Sequence, residues 1–264
     1  MPMPYGCVGF EQVWKFQIEC MMSHQFVPLV QAISKGSRDE VIVSCLRLGW
    51  NDAFKHVSEN TAAYKALSSK DKEDKVNDAC EKLVNYFIDY AKEKNYNDRF
   101  KKLDSFIKSS KFVDIFKDIK KVSSIDYPLC LGHIQKMFNI AMKVLLCLIV
   151  SAEHASSHGL TVRLDEVGTT TVYLTDHGLL SYSNFPYSFE TADCPIDHII
   201  LEYIEDKKTP AHSTIHGHRK YSQIVWSKLG AKEDPENYLS AQEEIENIQL
   251  GSGKSNLYFD LENW

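Results

Sequence analysis

The most specific chemistry in this sequence sits on four polar side chains within one apolar stretch. Residues 132–148 read GHIQKMFNIAMKVLLCL. Lys136, Asn139 and Lys143 fall at i, i+3 and i+7, on one helical face, and Gln135 pairs with Asn139 at i, i+4. Ile134, Met137, Phe138, Ile140, Ala141, Met142, Val144, Leu145 and Leu146 surround that strip, so the apolar shell runs nearly all the way round. A helix of that kind is normally buried. A buried lysine without compensation is costly and calls for a carboxylate or an anionic ligand. Three readings stay open. Lys136 and Lys143 mark the only solvent-facing stripe of a half-buried helix. Or the strip floors a pocket that binds an anion, with Gln135 and Asn139 fixing its orientation. Or Lys136 pairs internally with Asp197, as structure only.

Asp197 belongs to a second segment, Cys194-Pro195-Ile196-Asp197-His198. Proline suits a helix start, and Asp197 would then complement the helix dipole from the first turn. In a catalytic reading Asp197 and His198 form a base–acid pair beside Lys136, as in a hydrolase or nuclease, with or without metal. Cys194 before a helix N-terminus would have a lowered thiol pKa, but the sequence supplies no defined partner for a cysteine nucleophile. Two histidine groups are weak candidates for zinc: His154 and His158 at i, i+4, and His212, His216 and His218 in PAHSTIHGHRK. Neither comes with HExxH or a carboxylate array, and no cofactor is predicted. The motifs GxxxxGK[ST], GxGxxG, GxSxG and R-x4–6-H are all missing from the sequence.

The pattern Gly132-x-x-Gln135-Lys136-x-x-Asn139-x-x-x-Lys143, followed by Cys194-Pro195-Ile196-Asp197, resembles an uncharacterised bacterial protein family. Trp226-Ser227-Lys228 and residues 238–242 share in that likeness, which covers roughly the second half of the chain. The resemblance implies a bacterial source, and that the helix and the CPID segment belong to one site. It brings no activity with it.

The elements that must position these residues are mostly helical. Apolar spacing predicts helices over 10–33, with Pro28 kinking or ending the first, over about 39–57 after a Gly36-Ser37 stop and cap, and over 70–94 capped by Ser69. Two short helices follow within 99–121, broken at Ser109-Ser110, and then the long helix over about 129–154. Alternation at 160–164 and 169–174 predicts a small β-hairpin. Helices resume at about 196–204, 221–229 and 235–248. Gly251-Ser252-Gly253 reads as a joint, and NLYFDLENW after it as a short strand or an ordered tail. This gives one helical domain over 1–250, with a hairpin insertion at about 160–190 and a C-terminal tail at 251–264.

With 264 residues, 44% hydrophobic and 25% charged, the chain has ordinary globular composition, and its net charge of −6 argues against a general polyanion binder. Residues 92–121 are locally basic, with ten cationic and five acidic side chains. They form either a solvated face of alternating pairs or a surface for phosphate or nucleic acid. Residues 234–264 are acidic, with seven carboxylates and one lysine, and could dock on a neighbour, so a non-catalytic assembly module is a further reading. Seven widely spaced cysteines without a CxxC predict a reducing compartment. The N-terminus does not read as a signal peptide, and the apolar stretch 142–152 reads as too short for a bilayer. The expectation is a cytoplasmic protein with no membrane partner and an open oligomeric state.

Overall fold

Gly36 and Ser37 separate the first two helices of the computed structural model, α1 (Val27–Ser34) and α2 (Arg38–Phe54). The structure describes residues 27–54, 60–120, 131–157, 163–165, 171–173, 178–196, 198–207, 235–249, 256–257 and 259. Gly36 has φ +67°, the left-handed conformation that closes a helix C-terminus. Its N–H and that of Ser37 turn back to the carbonyls of Ile33 and Ala32. Ser37 Oγ accepts from the Glu40 N–H at 3.4 Å, and Asp39 and Glu40 occupy the first turn of α2.

Side-chain caps set the next boundaries too. Thr61 caps the single turn α3 (Ala62–Ala66). Ser68, one residue before the expected cap, accepts from the Asp71 N–H and starts α4 (Ser69–Lys92). Asn95 caps α5 (Tyr96–Ile107), and Ser109 caps α6 (Ser110–Phe116). The basic segment therefore divides at Ser109-Ser110, as the spacing predicts.

The centre is α7 (Leu131–Ser157). From Leu131 to Ala152 every residue but Ile140 is buried, polar ones included. This overturns the reading of Lys136 and Lys143 as a solvent-facing stripe: they are 7% and 4% exposed. It also corrects the length argument. The continuous stretch Leu131–Glu153 is long and apolar enough to cross a membrane, but here almost all of it is buried inside the protein. Helix α2 lies directly on α7, and Gly49 is what permits the approach. A Cβ at Gly49 would stand 2.2 Å from the Met137 carbonyl oxygen. Beside that crossing, Trp50 stacks on Phe116 at 5.5 Å and Phe54 on His133 at 5.6 Å.

Two three-residue strands, Arg163–Asp165 and Thr171–Tyr173, pair antiparallel with Leu164 opposite Val172. The rest of the predicted hairpin, its turn included, lies outside the described residues, as does the helix expected at 221–229. Helices α8 (His198–Lys207) and α9 (Pro235–Ile248) complete the mostly helical fold, and the described helices share one hydrophobic core. Asn256, Leu257 and Phe259 are helical rather than strand, and Leu257 and Phe259 are buried in that core. The strand reading of that stretch fails there because its apolar residues pack on α8 and the 189–196 segment. Phe259 meets Tyr203 edge-on at 5.2 Å, and the Leu257 N–H donates to the Ala192 carbonyl.

Two measurements check this packing. Gly49→Ala forces α2 off the Met137 carbonyl and is expected to cost at least about 2 kcal/mol in urea unfolding. Lys120 is 4% exposed, with Nζ 3.3 Å from the Phe54 carbonyl and 5.6 Å over the Phe54 ring. Burial lowers its ammonium to about 8. Between pH 8 and 10 the folded chain therefore holds fewer protons than the unfolded chain, and stability rises with pH. Urea unfolding at pH 7.5 and 10 is expected to show a gain about 1–3 kcal/mol larger in the native protein than in Lys120→Met. Parallel responses would contradict it.

Candidate functional site

Arg99, in the first turn of α5, is 1% exposed. A guanidinium taken out of water must place five N–H donors and find a negative charge. All five are placed. Nη1 donates to Asp193 Oδ1 at 2.8 Å and to the Thr191 carbonyl at 2.7 Å. Nη2 donates to the Glu93 carbonyl and to Thr191 Oγ1, and Nε reaches the Tyr90 carbonyl at 3.4 Å. Cζ lies 5.3 Å over the Tyr90 ring. Burial disfavours the charged guanidinium, but the opposing influence of Asp193, Tyr90 and Tyr238 leaves its pKa raised.

Asp193, itself 2% exposed, extends the network to two more elements, α9 and, by way of Tyr90, α7. The Tyr238 hydroxyl on α9 donates to Asp193 Oδ2 at 2.5 Å. The Tyr90 hydroxyl on α4 lies 3.3 Å from the same oxygen and 2.7 Å from Asn139 Oδ1 on α7. The Tyr90 hydroxyl has one proton, and the amide orientation of Asn139 decides where it goes. Asn139 Nδ2 donates to the Cys194 carbonyl at 3.4 Å, so its Oδ1 is the acceptor facing Tyr90. Burial, and after it the Asp193 charge, holds both phenols well above the ordinary tyrosine pKa, so both remain donors.

The Cys194 backbone is the second half of the assembly. Gln242 Oε1 accepts its N–H at 2.9 Å, and Gln242 Nε2 donates to its carbonyl at 2.8 Å, the exchange a neighbouring strand would make. Gln135 Nε2 donates to the same carbonyl at 3.0 Å. Pro195, which follows, disfavours helical backbone at Cys194 and leaves no N–H of its own to satisfy. Among the described residues, Gln135 Oε1 is buried without a hydrogen-bond partner.

The four strip residues thus divide by role. Gln135 and Asn139 brace the Cys194 carbonyl, which brings the long helix and the start of the CPID segment together. Lys136 Nζ lies 2.8 Å from Asp52 Oδ2 on α2, while Asp197, the partner expected from the sequence, lies outside the described residues. α2 crosses α7 on that side, which places Asp52 one turn from Gly49. Lys143 is buried. The Cys194 thiol is buried as well. Asp197, His158, His212, His216 and His218 lie outside the described residues, as do the side chains of His154 and His198. Among the described residues, no group of three His, Cys, Asp or Glu is placed to hold a metal ion. The sequence reading missed Arg99, Asp193 and Tyr90. Tyr238 and Gln242 entered it only through the resemblance.

Two cavities flank the network. A cleft of about 840 Å³ opens between α4 and α5, lined by Tyr86, Asp89, Tyr90, Phe106 and Phe138, with Lys101, Lys102 and Lys111 at its rim. A smaller one of about 280 Å³ lies beside Asp193 and Gln242. Neither is lined by Gln135, Lys136, Asn139 or Lys143. No family model, curated protein or solved structure matches the chain.

Removing either charge of the Arg99–Asp193 pair leaves the other buried. Arg99→Met and Asp193→Asn are each expected to cost about 3–5 kcal/mol in urea unfolding. The double variant should fall about 1–3 kcal/mol short of their sum. Strict additivity would mean the two charges do not depend on each other.

Proposed function

We propose that this protein binds a small anionic ligand with an aromatic body, of the nucleotide type, in the α4/α5 cleft. One observation carries the reading: three lysines border a cleft with an aromatic floor, and one of them, Lys111, has no carboxylate partner among the described residues. Four other lysines of the basic segment, two of them at the cleft, do have carboxylate partners. Lys101 meets Asp98 at 3.3 Å, Lys102 meets Glu93 at 2.5 Å, Lys108 meets Asp104 at 2.6 Å, and Lys117 meets Asp114 at 2.9 Å. Much of the local positive charge is therefore an alternating solvated face, and of the three cleft lysines Lys111 is the one left for an anion from outside.

The cleft volume lies within the range of small-molecule sites. Tyr86 and Phe106 stack at 4.0 Å along its wall and offer a π face to a planar ligand. Asp89 stands among the lining residues as an acceptor for a ligand amine. The anion-binding reading thus rests on the basic segment rather than on Lys136 and Lys143, which are enclosed in the core. A bacterial cytoplasmic setting is part of the same proposal. The cytoplasmic part is supported by the four described cysteines, Cys45, Cys80, Cys147 and Cys194, which are buried free thiols, as in a reducing compartment.

Fluorescence anisotropy with a labelled ATP analogue, and in parallel with a labelled single-stranded oligonucleotide, tests the proposal. The nucleotide analogue is expected to bind the native protein, and Lys101→Ala/Lys102→Ala/Lys111→Ala to weaken it at least about tenfold, the equivalent of about 1.4 kcal/mol. No binding, or equal affinity in the triple variant, would overturn the proposal.

A further inference from the structure

We infer that Asp193 is a positioning residue that sets the geometry of the α4/α5 cleft from outside it, with α9 as the backing element. The inference builds on the proposed binding cleft, but its structural part can be tested without a ligand.

The two walls of the cleft are α4, with Tyr86, Asp89 and Tyr90, and α5, with Lys101, Lys102, Leu103 and Phe106. Asp193 lines neither wall and yet reaches both helices. Its Oδ1 accepts from Arg99 on α5 at 2.8 Å. Its Oδ2 lies 3.3 Å from the Tyr90 hydroxyl on α4, while the ring of that same tyrosine lines the cleft. Arg99 ties the walls a second time through the Tyr90 carbonyl. The spacing between α4 and α5 at the inner end of the cleft is therefore held through Arg99, and Asp193 holds Arg99 in place.

That carboxylate is in turn held by α9. Tyr238 donates to Asp193 Oδ2 at 2.5 Å, and its ring stacks on Phe100 of α5 at 5.8 Å. Tyr238 does not line the cleft. If α9 lifts, Asp193 loses the proton donor on Oδ2. The Tyr90 hydroxyl is then the donor within reach, and turning to Asp193 would break its bond to Asn139. Seating of the C-terminal helix and the shape of the cleft are thereby one event.

Hydrogen exchange by mass spectrometry on the ligand-free full chain tests this, with Tyr238→Phe as the variant. The substitution keeps the stacked ring and removes one hydroxyl. Ile42→Val, in α2 and away from the network, is the control for general loss of stability. Exchange in Tyr238→Phe is expected to rise about tenfold over the control in peptides covering 86–90 and 99–106, as well as in α9, the effect of one lost hydrogen bond. A rise confined to α9 would overturn the inference. Asp193→Asn should reproduce the pattern, and cleft walls unchanged in both variants would also overturn it. The labelled ATP analogue gives a separate arm. Binding weakened at least about fivefold in Tyr238→Phe supports the inference, and equal affinity overturns it. Failure of the native protein to bind the analogue would reject the proposed function, and the exchange pattern would still decide the role of Asp193.

Discussion

A guanidinium buried to 1% exposure fixes much of this molecule. Taking that charge out of water carries a penalty of several kcal/mol, recovered only when the geometry satisfies every donor and supplies an opposite charge. Arg99 meets both conditions with partners drawn from two stretches of chain: Tyr90 and Glu93 around the end of α4, and Thr191 and Asp193 from the segment ahead of Pro195. The requirement works in reverse as well. Asp193 can be buried only because Arg99 and Tyr238 hold it, and Tyr238 brings α9 with it. The segment 178–196, with little regular structure, is thereby given a defined path across the helices.

The Cys194 carbonyl applies the same logic without charge. An irregular buried segment leaves backbone groups that no helix or sheet can pair. Side-chain amides from two helices do so here, Gln135 and Asn139 from α7 and Gln242 from α9. Gln135 and Asn139 of the apolar long helix are therefore explained by the segment they hold. Asn139 joins the two halves of the network, since its amide bonds the Cys194 carbonyl on one side and the Tyr90 hydroxyl on the other.

Local signals in the sequence marked most of the helices and part of this network. The near-complete apolar shell over 132–148 meant burial, and α7 is buried. Gly36-Ser37 and Ser109-Ser110 marked boundaries because positive φ and side-chain caps act within a few residues. Lysines 136 and 143 stood out against an apolar background, and Lys136 does meet a carboxylate. That the carboxylate is Asp52 was not legible, because it follows from how α2 crosses α7 at Gly49. Arg99 and Asp193 gave no local sign at all. They stand 94 positions apart. Arg99 lies in a run of lysines and reads as one more solvated cation, and Asp193 reads as a polar residue in a loop before a proline. Tyr90 falls on the apolar stripe of α4, where its ring belongs, and periodicity says nothing about where its hydroxyl points.

The claim that Arg99 is a fully engaged buried cation can be checked on the guanidinium itself. In nitrogen-15 NMR of the native protein at neutral pH, the account expects separately resolved Arg99 Hη signals. They should exchange slowly with water and show hindered rotation about the Nε–Cζ bond. A single averaged Arg99 signal in fast exchange with solvent would contradict it.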